Sequence, residues 1–148
     1  MPIVFATNHL AEIQQHGEAT FPHECCGFLL GHLEDDRRIV ARTQRAQNLR
    51  DDSPQNRYEI SPQDYVRADR EARQAGLDIV GFYHSHPDHP ARPSQFDLEN
   101  AWPELIYVIV SVNKGKAGEM AAWKLANDRS RFLQEELTID NSQLKIHN

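Results

Sequence analysis

The segment Leu105-Ile-Tyr-Val-Ile-Val-Ser-Val112 constrains the fold most: nearly every residue is apolar, and most are β-branched or aromatic. Eight residues of that kind suit a strand buried in the middle of a sheet. The longest apolar runs, Leu105–Val110 and Ile79–Tyr83, are far too short to span a bilayer as a helix. A central strand needs neighbours on both sides.

Ile3–Phe5 is a short strand, followed by a helix with Thr7 as N-cap, Leu10, Ile13 and Gln14 at helical spacing, and an end near Gly17. Cys25–Leu33 reads as a buried strand, and Asp35-Asp36 turns it into a hairpin with Arg38–Thr43. Gln44–Arg57, with Pro54 inside it, is polar and aperiodic, hence a loop, and Arg57–Ile60 is a short strand. Ser61-Pro62-Gln63-Asp64 starts a helix with a capping serine and proline at the first helical position. Tyr65, Ala68, Ala72 and Ala75 lie on one face of it, and Gly76 stops it. Asp78–His86 is a strand, Pro87, Pro90 and Pro93 stiffen the loop after it, and a short helix begins at Ser94. Lys114-Gly115-Lys116 turns the central strand into Ala117–Leu125, and Phe132–Ile139 is the last strand. The expected class is α/β (α+β): a mixed sheet with helices packed on it.

At 148 residues the chain is expected to form one domain, residues 1–148. Its net charge is −6 and it has no basic stripe, which argues against nucleic acid as a partner. The N-terminus lacks the basic start and apolar core of a signal peptide, so neither export nor membrane attachment is expected. The two cysteines, Cys25 and Cys26, are adjacent and cannot staple distant parts of the fold. They suit a reducing, cytoplasmic location.

The chemistry concentrates after Gly81. Residues two apart on a strand share a face, so His84 and His86 project side by side, as two ligands of one metal ion would. The plainer reading is one functional or core histidine with a surface neighbour. Ser94 and Asp97 are three apart, which on a helix is both an ordinary capping arrangement and a shared face. A histidine pair holding a metal calls for an anionic third ligand nearby, and Asp97 is placed to supply one; Ser94 can cap and still aim its hydroxyl at the metal. Glu24, just before the Cys25 strand, would by itself pass for a surface carboxylate. Cys25 and Cys26 are read as packing residues rather than nucleophiles.

Together, Glu24 upstream and His84-x-His86-x(7)-Ser94-x-x-Asp97 downstream resemble the JAMM (MPN+) metallopeptidase family. The segments Pro22-His-Glu-Cys-Cys-Gly27, Ala91-Arg-Pro-Ser94 and Tyr107-Val-Ile-Val-Ser111 resemble its short bacterial branch. The likeness runs from about Ile3 to Leu125 and is less clear over 126–148. It implies a curved, cytidine-deaminase-like sheet. It also implies one zinc per chain on His84, His86 and Asp97, with Glu24 as general base and Ser94 as oxyanion donor. The substrate it implies is the C-terminal tail of a ubiquitin-like sulfur-carrier protein, from which an amino acid such as cysteine or a short extension would be hydrolysed. The substrate-binding residues and the oligomeric state are not implied. Relatives without the ligands act as scaffolds, which is the alternative function, but here all five positions are filled. His84-Ser-His-Pro-Asp-His89 also resembles the metallo-β-lactamase signature, yet the only later histidine is His147, so that reading fails.

Overall fold

The structure is a computed structural model that describes residues 1–50 and 57–142. Pro54 and His147 lie outside the described residues. In chain order the elements are β1 (Ile3–Phe5), α1 (Thr7–Thr20), β2 (Cys26–Glu34), β3 (Arg37–Ala46), α2 (Pro62–Gln74) and β4 (Asp78–Pro87). They continue with α3 (Gln95–Asn100), β5 (Ile106–Asn113), β6 (Lys116–Leu125), β7 (Phe132–Glu135) and β8 (Leu137–Ile139). All eight strands join one sheet in the order β7-β6-β5-β4-β2-β3-β1-β8. The sheet is mixed: β4 runs parallel to β5, and β1 parallel to β3 and β8, while the other pairs are antiparallel.

The outermost strands are nearly one strand. Only Glu136 separates β7, which pairs with β6, from β8, which pairs with β1. The carbonyl of Glu136 itself accepts from the Ile3 N–H at 2.9 Å. A single segment thus draws the two sheet edges toward each other, so the sheet curves almost to closure. Register shifts in β2, at Leu29–Leu30 against β4 and at Leu30–Gly31 against β3, add to the bend. The expected strand Phe132–Ile139 therefore exists over that span, split by one residue.

The faces divide the core. Tyr83, Ile106, Val108, Val110 and Val112 point toward α1, and Phe28, Phe82 and Tyr107 point toward α2. α1 runs on to Thr20 instead of stopping near Gly17, and Gly17 serves for close packing against the sheet. A Cβ there would meet Val112 at 3.0 Å. Thr7 is the first helical residue rather than the cap, and Ala6 in the N-cap position makes no side-chain bond. Asp35 and Asp36 have φ of 49° and 61°, the paired left-handed geometry of a tight hairpin turn. Ser61 caps α2 by accepting from the Asp64 N–H at 3.0 Å, as its sequence predicts. Residues 57–60 form no strand; their backbone is engaged by a side chain described below. No described helix is long and apolar enough to cross a membrane.

Candidate active site

β4 is paired along its length with β2 on one side and β5 on the other. Its period of two sends His84 and His86 to the α3 side of the sheet and Ser85 to the opposite side. Both histidines are buried. Ser85 holds the neighbouring chain: its Oγ accepts from the Cys25 N–H at 2.8 Å, and its own N–H donates to the Cys25 carbonyl at 3.2 Å. That two-way clamp fixes the residue before it, Glu24, which is also buried.

Asp97 arrives from α3 through a capping box. The Ser94 Oγ accepts from the Asp97 N–H at 3.1 Å, and the Ser94 N–H donates to Asp97 Oδ2 at 2.8 Å. The same Oδ2 lies 3.3 Å from His84 Nε2 and 3.1 Å from His86 Nε2, and the two Nε2 atoms are 3.2 Å apart. Capping and ligation are therefore compatible here, since one carboxylate oxygen serves the helix start and faces both imidazoles. Ser94 is exposed, and accepting the cap bond leaves its hydroxyl hydrogen available to donate.

This triangle fits a metal ion. Tetrahedral bonds of about 2.0–2.1 Å hold ligand atoms about 3.3 Å apart, close to the three separations found. The tautomer of His86 suits the role as well: its Nδ1 lies 3.0 Å from the Pro90 carbonyl, which can only accept, so Nε2 carries the lone pair. Tyr58 stacks on the His84 ring at 4.6 Å between centroids. The ligand-type atoms of Glu24, His84 and His86 lie within 4.8 Å of one another, a looser group than the triangle with Asp97. Among the described residues Glu24 Oε1 has no hydrogen-bond partner.

The electrostatics follow from crowding. Burial, then the charge of Asp97, pushes the Glu24 carboxyl up to about 9 in the metal-free protein. Burial also works against ionised Asp97. The close approach of the His84 and His86 rings and the bond from the Ser94 N–H outweigh it and keep this carboxyl well below the usual carboxylate range. His84 is depressed by burial against the pull of Asp97, which favours the neutral imidazole a metal requires.

All five residues singled out in the sequence lie on this one face: Glu24, His84, His86 and Asp97 converge, and Ser94 sits at the head of the helix that carries Asp97. Sequence reasoning missed Ser85, whose position between two same-face histidines places it toward the α1 side. It also missed Asn48, whose side chain fills all four of its hydrogen-bonding positions. Nδ2 donates to the carbonyls of Glu24 at 3.2 Å and Arg57 at 3.0 Å, and Oδ1 accepts from the N–H groups of Arg50 at 3.0 Å and Glu59 at 3.1 Å. Only the fold brings those four backbones to one amide, so no local signal marks Asn48.

The family model described as prokaryotic homologs of the JAB domain matches residues 6–126. The chain belongs to this prokaryotic JAB-domain family. It is the short prokaryotic JAMM/MPN branch that the motif resembles. A desampylase from Haloferax volcanii is 37% identical over 113 residues, 76% of this chain and 76% of that protein. A probable TtuB-protein conjugate cleaving protease from Thermus thermophilus is 32% identical over 73% of this chain and 69% of its own. The solution structure of a Desulfitobacterium hafniense protein matches with a TM-score of 0.85 at 29% identity, covering 100% of this chain and 99% of that one.

Proposed function

We propose that this JAB-domain hydrolase is a zinc metallopeptidase that cleaves an amide or isopeptide bond at the C-terminal tail of a ubiquitin-like sulfur-carrier protein. The observation that carries the reading is the triangle of His84 Nε2, His86 Nε2 and Asp97 Oδ2, at 3.1–3.3 Å, with the partnerless Glu24 Oε1 nearby. The relatives from Haloferax and Thermus, one a desampylase and one a probable conjugate-cleaving protease, support the substrate class.

His84, His86 and Asp97 would hold the zinc. When bound, zinc polarises the scissile carbonyl and lowers the pKa of a water to about 7. Glu24 Oε1 accepts a proton from the attacking water and returns it to the leaving nitrogen. The Ser94 hydroxyl donates to the oxygen that becomes negative as the carbonyl turns tetrahedral. Burial of Glu24, His84, His86 and Asp97 strengthens their contacts by excluding water.

Elemental analysis beside His84→Ala tests the centre. Near one zinc per chain is expected in the wild type and none in the variant, and chelator should abolish cleavage of carrier conjugates. No metal in either protein after reconstitution would sink the metallopeptidase reading and return the chain to a scaffold role.

A further inference from the structure

β3 runs on alone beyond β1. β1 pairs with β3 only at Arg38 and Ile39 and then turns into α1, whereas β3 continues to Ala46. On one side β3 stays paired with β2 up to that end, where Ala46 meets Cys26. On the other side, among the described residues, no strand lies beside residues 41–46, and no turn, loop or cap bond reaches their backbone. The line that β1 leaves is therefore an open lane, with unpaired N–H and carbonyl groups along one wall for an added strand to meet.

A cavity of about 490 Å³ opens at the head of this lane. Val4 and Ala6 border it where β1 ends, and Ala41 and Arg42 where β3 goes on. Val4 and Ile39, both buried, and Leu77, just after α2, make much of its lining apolar. Most of the titratable side chains at the cavity are engaged. His9 Nδ1 lies 2.7 Å from Glu12 Oε1, and His32 Nε2 lies 3.2 Å from Glu34 Oε2. Asp140 Oδ1 accepts from the Ser142 N–H at 2.9 Å. The exception is Arg42, which is exposed and whose guanidinium forms no hydrogen bond or ion pair among the described residues. Arg45, further along the same edge, is likewise exposed and forms neither. Arg42 sits opposite Leu30 and Arg45 opposite Gly27, three residues apart in β2, so the two project to opposite faces of the sheet. Two free cations thus flank the lane, on a chain of net charge −6.

We propose that this lane is a strand-addition site for an extended, acidic segment of a partner protein. The segment pairs its backbone with residues 41–46, sets an apolar side chain into the cavity and places carboxylates beside Arg42 and Arg45. Main-chain bonds supply the affinity and the side chains supply the choice of partner. Opposite charges on neighbouring strands add to the pairing, and like charges oppose it. A second copy of this chain suits the lane less, because β3 paired with β3 crowds Arg42 and Arg45 of both copies onto one short edge. The cavity shares no residue with the triangle of His84, His86 and Asp97, so the proposal stands apart from the hydrolase reading.

The probe is a capped, fluorescein-labelled hexapeptide of glutamates and valines, with binding followed by anisotropy and by hydrogen exchange of the full chain. Within residues 41–46, amides that exchange fast in the free protein should slow at least about tenfold when the peptide saturates it. The matching peptide of lysines and valines should bind at least about tenfold more weakly, since each approach to Arg42 and Arg45 becomes repulsive. An N-methylated copy of the acidic peptide keeps the charges, lacks the backbone donors and should not bind. The double variant Arg42→Gln, Arg45→Gln should remove most of the preference for the acidic peptide, melting curves confirming that it folds. Equal binding of the acidic and lysine peptides, binding of the N-methylated copy, or no binding of any peptide would overturn the proposal. So would slow exchange throughout residues 41–46 in the free protein, because a second copy or another stretch of this chain would then already fill the lane.

Discussion

The site has two halves that are built differently. His84 and His86 ride on β4, hydrogen-bonded to strands on both sides and backed by α1, where Tyr83 meets His16 at 2.6 Å. Ser94 and Asp97 ride on a six-residue helix whose start is held by its own capping box. The histidine pair is fixed by the whole sheet, whereas the anion is fixed by a few local hydrogen bonds. Damage to the sheet should therefore appear as lost folding, and damage to the helix start as lost function with most of the fold intact.

The largest effect should come from the residue that the sheet half positions without asking it to bind metal. Glu24 is held through the Cys25–Ser85 clamp and stands apart from the closest triangle. Glu24→Gln should retain zinc while hydrolysis falls by about 10²–10⁴-fold, the usual worth of a general base. Zinc content and turnover measured on one preparation decide it. Loss of zinc together with activity would make Glu24 a ligand, and full activity would remove it from the mechanism.

The same division explains what could be read from the chain. The strands around the site were legible because apolar runs such as Leu105–Val112 and the Asp78–His86 segment announce buried strands. The His-x-His spacing followed from strand periodicity. The capping box at Ser94 was legible too, but sequence spacing could not tell capping from ligation, because the Asp97 oxygen that accepts the cap bond also faces both imidazoles. Residues 57–60 misled: Tyr58 and Ile60 look like a strand, yet the N–H of Glu59 and the carbonyl of Arg57 are taken by the Asn48 side chain. Near-closure of the sheet was invisible because it depends on one segment pairing with β6 and β1, strands that lie far apart along the chain. Gly17 looked like a helix stop, although its role is close approach to Val112.

Ser94→Ala probes the helix half. Loss of the cap should cost about 0.5–2 kcal/mol of stability. If the hydroxyl also stabilises the oxyanion, turnover should fall by about 10²–10³-fold with zinc retained. Ser94→Thr, which keeps both the acceptor and the hydroxyl, should recover most of each. A lower melting temperature with unchanged turnover would confine Ser94 to capping.

The smallest effect tests the sheet half from behind. Burial, and then the charge of Arg45, lowers His16 from its ordinary value to about 4. The unfolded chain therefore binds a proton on this residue between about pH 6.5 and 4 that the folded chain refuses. Stability tied to neutral His16 is complete above about pH 6.5 and is lost as the pH falls toward 4. Between pH 7 and 5 the loss should be on the order of 1–2 kcal/mol, a shift of a few degrees in Tm. His16→Gln keeps a polar group that can meet the Tyr83 hydroxyl but cannot titrate. Thermal melts of both proteins in chelator, across that range, isolate the His16 contribution, since His84 titrates in both. A wild-type curve that falls faster than the variant's would show that protonation loosens the α1–β4 contact. Parallel curves would mean that His16 keeps its ordinary proton affinity in the folded chain.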